Sequence, residues 1–221
     1  MTDTEDAYRF DFVSIDGDKL PLAAWRGRPV LVVNTASFCG YTPQYSDLEA
    51  LWQRYRDRGL IVLGVPSNDF GQQEPGSAPE IKQFCAANYS VDFPLAEKCR
   101  VLGAEAHPFY RWIAVTLGEG ATPRWNFHKY LIGPDGQLAG VWPTPVAPTD
   151  GRITTKIERL LSATGISGPD DCPRRPGEGR HPWPKWTPAF AGVTGRSCRP
   201  RGSGGPSPRS PRGVLRHCRG F

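Results

Sequence analysis

Cys39 is the residue in this sequence whose position most strongly suggests chemistry. An apolar run over residues 28–36 precedes it, and residues 42–59, whose apolar side chains recur at helical spacing, follow it. A thiol between a strand and a helix meets free backbone N–H groups and the positive end of the helix dipole, and both favour the nucleophilic thiolate. The same position also fits a buried inert cysteine, half of a disulfide or a metal ligand. Position alone leaves these four roles open.

The other cysteines and the histidines make some of these roles less favourable. None of the six cysteines forms a C-x-x-C pair, and the four histidines form no zinc-like constellation with them. The start of the chain, residues 1–10, is acidic and polar and lacks the pattern of a secretory signal, so we expect a cytoplasmic protein without a permanent disulfide framework. We also expect no metal and no cofactor. The cysteines are Cys39, Cys85, Cys99, Cys172, Cys198 and Cys218.

The segments around Cys39 predict an α/β domain with a central mixed sheet. The continuous apolar runs 28–36 and 60–66 are typical of strands buried on both faces, and helix 42–59 joins them in a parallel βαβ unit. No apolar run approaches the length of a membrane span, so no stable membrane insertion is expected. The remaining predicted elements place helices on both faces of the sheet: an N-terminal β-hairpin over 8–22, helices over 78–89, 107–118 and 150–163, and a hairpin over 125–142.

The character of the chain changes after Ala163. Residues 1–163 carry a net charge of −3, whereas residues 164–221 carry +8 and contain 11 Gly and 10 Pro. The second segment has no apolar periodicity and few aliphatic side chains, so it is expected to be disordered or a read-through extension. Its arginines are scattered among Gly and Pro, and no nucleic-acid partner is expected. The sequence thus predicts one domain over 1–163 and a tail over 164–221.

Four motifs follow one another within residues 7–162: "VNTASFCGYT", "PSNDFGQQEPG", "FCAANYSVDFPL" and "WNFHKYLIGPDG". In this order they resemble the glutathione peroxidase family. The resemblance implies a thioredoxin-like fold and the reduction of hydroperoxides. It makes Cys39 the peroxidatic residue, where some relatives carry selenocysteine, and it places Gln73, Trp125 and Asn126 around the sulfur. The neutral N–H groups of these side chains can stabilise a thiolate and solvate the leaving alkoxide.

The same resemblance makes Cys85 the resolving cysteine. Non-selenium members with a cysteine at this place in "FCxxNYxVxFP" commonly form an intramolecular disulfide with the peroxidatic residue, and thioredoxin reduces it. A disulfide needs Cα atoms within about 7 Å, so a cysteine on helix 78–89 requires local unwinding to reach Cys39. The alternative is that Cys85 packs as an apolar residue of its helix.

Differences from the family refine these expectations. Ser67 and Asp69 stand where many relatives have Cys and Gln, which removes one alternative resolving thiol and adds a charge that would disfavour a thiolate if it pointed at Cys39. The segment 118–124 is shorter than in tetrameric relatives, so we expect a monomer with a site open to bulky hydroperoxides, with lipid hydroperoxides among the candidates. Cys99 matches no motif and is expected to be a packed or idle thiol.

The expected function is a thiol peroxidase that forms a sulfenic acid on Cys39 and a transient disulfide with Cys85, which thioredoxin reduces. Three alternatives remain open on sequence. The chain could be a glutathione-dependent peroxidase in which Cys85 is idle, or a peroxide sensor that passes its disulfide to a partner protein. It could also be a thioredoxin-like module without peroxidase chemistry.

A protein truncated after Ala163 tests the predicted domain boundary. We expect it to unfold cooperatively and to consume peroxide at the rate of the full chain, because the predicted core and all four motifs precede the cut. Thermal unfolding followed by circular dichroism and a peroxide-consumption assay measure the two properties. Loss of cooperative unfolding would show that residues beyond 163 belong to the folded domain.

Overall fold

The computed structural model describes residues 6–163; the predicted tail over 164–221 lies outside the described residues. No helix in the described range is long and apolar enough to cross a membrane. The strands are β1 Asp11–Val13, β2 Lys19–Pro21, β3 Val30–Thr35, β4 Ile61–Pro66, β5 Lys129–Ile132 and β6 Leu138–Trp142, and the helices are α1 Gln44–Tyr55, α2 Ala78–Tyr89, α3 Pro108–Leu117 and α4 Gly151–Ala163.

A mixed four-stranded sheet with the strand order β4-β3-β5-β6 forms the centre of the domain. Strands β3 and β4 run parallel, as the βαβ pattern predicts, whereas β5 pairs antiparallel with β3 and β6 antiparallel with β5. Every residue of β3 and β4 is buried. Their continuous apolar sequences follow from this position, because a central strand covered on both faces needs apolar side chains in both directions.

The two faces of the sheet carry separate apolar clusters. Val30 and Val32 of β3 belong to the cluster that packs against α3 and the N-terminal hairpin. Leu31 and Val33, which point to the opposite face, belong to the cluster that packs against α1, α2 and α4. The predicted fold, a mixed sheet flanked by helices, is confirmed.

The N-terminal hairpin forms a two-stranded sheet of its own. The alternating pattern of residues 8–22 predicts this hairpin at the edge of a sheet. The hairpin is not a member of the four-stranded sheet, but isolated bridges from Ser14 to Ala96 and from Leu95 to Gly64 connect it to the edge strand β4.

The buried side chain of the hairpin, Phe12, packs on α3, where its ring stacks on His107 with centroids 4.0 Å apart and lies 5.8 Å from Phe109. Backbone hydrogen bonds add to this aromatic packing: the N–H of Ile15 donates to the carbonyl of Leu95 at 2.9 Å, and the N–H of Glu97 donates to the carbonyl of Val13 at 2.7 Å.

Helix α2 has a well-defined beginning but few buried residues. The side chain of Glu80 accepts a hydrogen bond from the backbone N–H of Ser77 at 2.7 Å, within a capping box. Among its residues only Ile81 and Cys85 are buried. Ala78, Phe84 and Tyr89 are partly buried and pack against the same cluster, so α2 is held by fewer fully buried side chains than α1, α3 or α4.

Candidate active site

The Cys39 loop connects β3 to α1. The backbone N–H of Cys39 donates to the hydroxyl of Thr42 at 3.0 Å, and that hydroxyl donates to the carbonyl of Ala36 at 2.9 Å. The backbone N–H of Tyr41 lies 3.4 Å from the sulfur and donates to it. Because α1 begins only at Gln44, a turn ahead of the helix contacts the thiol, whereas the sequence suggested the helix end itself. Cys39 is 8% exposed, so the sulfur lies just below the surface.

Gln73 lies in the loop that follows β4. Gly71 and Gln72 adopt left-handed backbone conformations, with φ of +60° and +54°, and so turn the chain back. The carbonyl of Gln73 then accepts a hydrogen bond from the backbone N–H of Phe38 at 3.0 Å. This bond fastens the Gln73 loop to the residue that precedes Cys39.

Trp125 and Asn126 come just before β5 and contact the Gln73 loop. The Nδ2 of Asn126 donates to the Oε1 of Gln73 at 2.9 Å. The ring of Trp125, which is 39% exposed, lies 5.7 Å from that of Phe70. The structure thus brings Gln73, Asn126 and Trp125 into neighbouring loops.

The pairing of the two amides differs from the expected arrangement. The sequence suggested that Gln73, Trp125 and Asn126 would each donate toward the sulfur. Asn126 instead donates to Gln73, so the Nε2 of Gln73 is the end of that amide left to face a substrate or the thiol. Asn126 is a support for Gln73 in this state, with its own carboxamide oxygen buried and without a hydrogen-bond partner in residues 6–163.

Asn34 joins the two halves of the site. Its Nδ2 donates to the carbonyl of Trp125 at 3.1 Å, and its Oδ1 accepts from the backbone N–H of His128 at 3.0 Å. Its backbone carbonyl accepts from the N–H of Phe127 at 2.6 Å. Because Asn34 lies on β3, the strand that leads to Cys39, these bonds set the turn of Trp125 in register with the thiol. The signal for it was available in the sequence: an amide within an apolar strand must find partners.

Lys129 and Thr144 hold the same turn from the other side. The Nζ of Lys129, a fully buried side chain, donates to the carbonyl of Phe127 at 2.7 Å, and the hydroxyl of Thr144 donates to the carbonyl of Asn126 at 2.7 Å. Burial lowers the pKa of Lys129 to about 7, although the charge of Asp47 opposes the shift. Phe127 has a left-handed backbone with φ of +62°, and these bonds stabilise that uncommon conformation.

Asp69 does not accept a hydrogen bond at the Cys39 loop. Its Oδ2 accepts from the backbone N–H groups of Val101 and Leu102 at 2.7 and 3.0 Å, and its Oδ1 lies 3.3 Å from the Nε of Arg100. The charge acts on Cys99, whose pKa rises to about 12 through burial and, secondarily, through Asp69 and Glu97. Cys99 is therefore protonated at neutral pH, as a packed thiol would be.

Cys85 is fully buried on α2 and is a free thiol, as are Cys39 and Cys99. Burial raises its pKa to about 11; the contact with the hydroxyl of Tyr45 lowers it, and the charge of Glu74 raises it. A thiol with this pKa carries its proton at neutral pH and is a weak nucleophile until the proton is removed.

Within residues 6–163, no group of three or more His, Cys, Asp or Glu side chains could hold a metal ion.

The fold places the chain in the thioredoxin-like class. A thiol:disulfide interchange protein of the thioredoxin family from Chlorobium tepidum TLS has a TM-score of 0.52 and 18% sequence identity, over 69% of this chain and 92% of that one. Cys39, in the loop between β3 and α1, is therefore a buried thiol within a thioredoxin-like fold.

The family follows from closer relatives. The glutathione peroxidase family model matches residues 7–114. A hydroperoxy fatty acid reductase from Synechocystis sp. is 42% identical over 162 residues, which cover 70% of this chain and 95% of that protein. A glutathione peroxidase-like peroxiredoxin from Schizosaccharomyces pombe is 50% identical over 125 residues, 56% of this chain and 79% of that one. The crystal structure of Trgpx in apo form has a TM-score of 0.58 and 32% identity, over 72% of this chain and 97% of that chain. The chain belongs to the glutathione peroxidase family and is a peroxidase.

An Asn34→Asp variant tests whether Asn34 sets the geometry of the site. Its carboxylate can still accept from His128 but cannot donate to the carbonyl of Trp125. We expect the second-order rate constant for oxidation of Cys39 by hydrogen peroxide to fall about tenfold, which is the effect expected from the loss of one hydrogen bond that positions the site. Lowering the pH should restore part of the rate, because the protonated carboxyl donates again. Stopped-flow fluorescence measures the rate.

Asn88→Asp is the matched control, because Asn88 is exposed on α2 and its replacement adds the same charge. It should react at the wild-type rate. Thermal unfolding separates a general loss of stability from a loss of geometry. A folded Asn34→Asp protein with the wild-type rate at every pH would show that these hydrogen bonds do not set the site.

Proposed function

We propose that this peroxidase reduces hydroperoxides by nucleophilic attack of the Cys39 thiolate. The sulfur attacks the O–O bond of ROOH, ROH leaves, and a sulfenic acid remains on Cys39. The observation that carries this proposal is the convergence of two loops on the Cys39 loop. Gln73 reaches it through the bond from Phe38, and Asn126 reaches Gln73.

Gln73, Trp125 and Asn126 are the polar groups that we assign to this step. Amide and indole N–H groups are neutral donors, so they stabilise a thiolate and the leaving alkoxide without neutralising the nucleophile as a cation would. The Nε2 of Gln73 has no acceptor within residues 6–163, so it is available to the substrate. Asn126 holds the Gln73 amide in position by its donation to Oε1.

The surface around Cys39 suits a bulky apolar hydroperoxide. Phe38 is 65% exposed, and Tyr41 and Trp125 are 38% and 39% exposed. Exposed aromatic side chains grouped around a reactive residue are typical of a binding surface for an apolar ligand. We therefore propose organic hydroperoxides, with lipid hydroperoxides among them, beside hydrogen peroxide. The name of the Synechocystis relative supports a fatty acyl substrate.

Cys85 is proposed to resolve the sulfenic acid. Its thiol attacks the sulfur of Cys39, and water leaves as the disulfide forms. The reaction requires α2 to open, since Cys85 is fully buried in the folded helix. The small number of buried residues on α2 supports such an opening.

Thioredoxin is the proposed reductant of this disulfide, and the protein is proposed to act as a cytoplasmic monomer. An intramolecular disulfide is the form of oxidised enzyme that a dithiol protein reduces directly by exchange. The relative from Schizosaccharomyces pombe is named a peroxiredoxin, which supports a thiol-based cycle. Glutathione as the reductant, with Cys85 idle, is the competing outcome.

A Cys85→Ser variant tests the cycle in a background where the tail cysteines Cys172, Cys198 and Cys218 are serine, so that they cannot consume oxidant. We expect it to reduce one equivalent of peroxide and then stop when thioredoxin, thioredoxin reductase and NADPH are supplied. The reason is that the sulfenic acid forms but no disulfide follows. NADPH oxidation with the thioredoxin system, compared with glutathione and glutathione reductase, measures turnover.

Cys99→Ser is the matched control, because it also removes a thiol whose pKa is raised by burial. This variant should reduce peroxide with thioredoxin at the wild-type rate. Undiminished thioredoxin-linked turnover in Cys85→Ser would refute the resolving role. Peroxide consumption by Cys39→Ser at the wild-type rate would refute the peroxidatic role.

A further inference from the structure

Glu74 is a buried acid next to Gln73. Its side chain has no exposed surface, and neither carboxylate oxygen has a hydrogen-bond partner in residues 6–163. The hydroxyl and backbone N–H of Ser37 are the polar groups that face it. Lys98, the nearby cation, donates to the carbonyls of Glu74 and Gly76 at 3.2 and 2.7 Å and thus holds the backbone of the loop. An acid buried in this way costs free energy and is often functional.

Glu74 lies between the Cys39 loop and helix α2, which carries Cys85. It lines a cleft of about 340 Å³ together with Ser37 and Phe38 of the Cys39 loop and with Ile81 and Phe84 of α2. Cys85 follows Phe84 directly on that helix. The acid therefore lies where the Cys39 loop and the resolving helix meet.

The charge of Glu74 reaches the resolving thiol. Burial is the main cause of the raised pKa of Cys85, and the Glu74 charge adds to it. Burial is also the main cause of the raised pKa of Tyr45, whose hydroxyl contacts Cys85, and the Glu74 charge again adds to the shift. Burial also raises the pKa of Glu74, while Ser37 and Lys98 oppose that shift. Glu74, Cys85 and Tyr45 thus form one buried titratable cluster.

We propose that Glu74 is the proton acceptor of the resolving step: it takes the thiol proton of Cys85 and returns it to the hydroxide that leaves Cys39. This inference rests on the proposed role of Cys85. It adds a residue to the cycle, because the four motifs assign no role to this acid.

The step balances in protons and electrons. The S–H bond of Cys85 breaks, the proton passes to the Glu74 carboxylate, and the Cys85 thiolate attacks the sulfur of the Cys39 sulfenic acid. The S–S bond forms as the S–O bond breaks, and its electron pair leaves on hydroxide. The proton on Glu74 then completes water. The Cys85 sulfur is oxidised, the Cys39 sulfur is reduced, and Glu74 ends as a carboxylate.

A buried carboxyl suits this role better than a surface one. A thiol with a pKa of about 11 yields its proton only slowly to a weak base, and a carboxylate becomes a stronger base as burial raises its pKa. Glu74 is protonated below its raised pKa and ionised above it, so the resolving rate should rise with pH through that pKa and then level off. The groups that face it are Ser37, Lys98, Tyr45 and Cys85, and Glu80 lines the same cleft.

The test is a single turnover of Glu74→Gln with one equivalent of hydrogen peroxide, without thioredoxin, in the background that lacks the tail cysteines. Stopped-flow fluorescence follows two phases: oxidation of Cys39, second order in peroxide, and formation of the disulfide, first order. We expect the first phase to stay at the wild-type rate. The second should slow about 100-fold and lose its pH dependence, as removal of a general base does. Thiol titration of quenched samples confirms which phase forms the disulfide.

Glu97→Gln is the matched control, because Glu97 is exposed and its replacement removes the same charge; both phases should keep the wild-type rates. Glu74→Asp, which keeps a carboxylate, should recover part of the second phase. A wild-type second phase in Glu74→Gln would overturn the proposal. Should Glu74→Gln fail to fold, the unmodified enzyme decides. A second phase that levels off below about pH 8.5, the pKa of an exposed thiol, supports Glu74, whereas a continuous rise up to or beyond that pH overturns it.

Failure of this inference can be told apart from failure of the cycle. A second phase absent in Cys85→Ser but normal in Glu74→Gln would remove the role of Glu74 and leave the disulfide intact. Disulfide formation that persists in Cys85→Ser would overturn the pairing of Cys39 with Cys85, and the proposal for Glu74 with it.

Discussion

The hydrogen bonds of Asn34 are the constraint on which the site depends. They tie the turn of Trp125 and Asn126 to β3, the central strand that also delivers Cys39. The Cys39 loop and the turn of Trp125 are far apart in sequence, but each is attached to the same buried strand, and this fixes their relative positions. Lys129 adds a second attachment of the same turn. The geometry of the proposed site thus depends on the sheet as well as on the hydrogen bonds between the loops.

The two cysteines of the proposed cycle are both buried but differ in how close they lie to the surface. Cys39 is close to the surface, whereas Cys85 is fully buried and its pKa is raised to about 11 by burial. In the proposed cycle this difference separates the two chemical steps: the sulfur of Cys39 meets peroxide first, and that of Cys85 reacts after α2 opens. The buried acid Glu74 lies at the same boundary and is the base that we propose for the second step.

Much of the fold could be predicted from the sequence because its signals are local. The apolar runs predict strands β3 and β4, and the helix predicted over 78–89 is α2. The partners of side chains could not be predicted in this way. Asp69 accepts from Val101 and Leu102, and Asn126 donates to Gln73. These contacts join segments that lie far apart in the sequence, so no local pattern encodes them.

The central claim is that oxidation of Cys39 ends in a disulfide with Cys85. Its most direct test is peptide mass mapping after one equivalent of peroxide, in the chain whose tail cysteines Cys172, Cys198 and Cys218 are serine, with free thiols blocked before digestion. The account predicts one cross-linked pair of peptides that contains Cys39 and Cys85, with Cys99 blocked as a free thiol. A sulfinic acid on Cys39 with Cys85 blocked as a free thiol would contradict it.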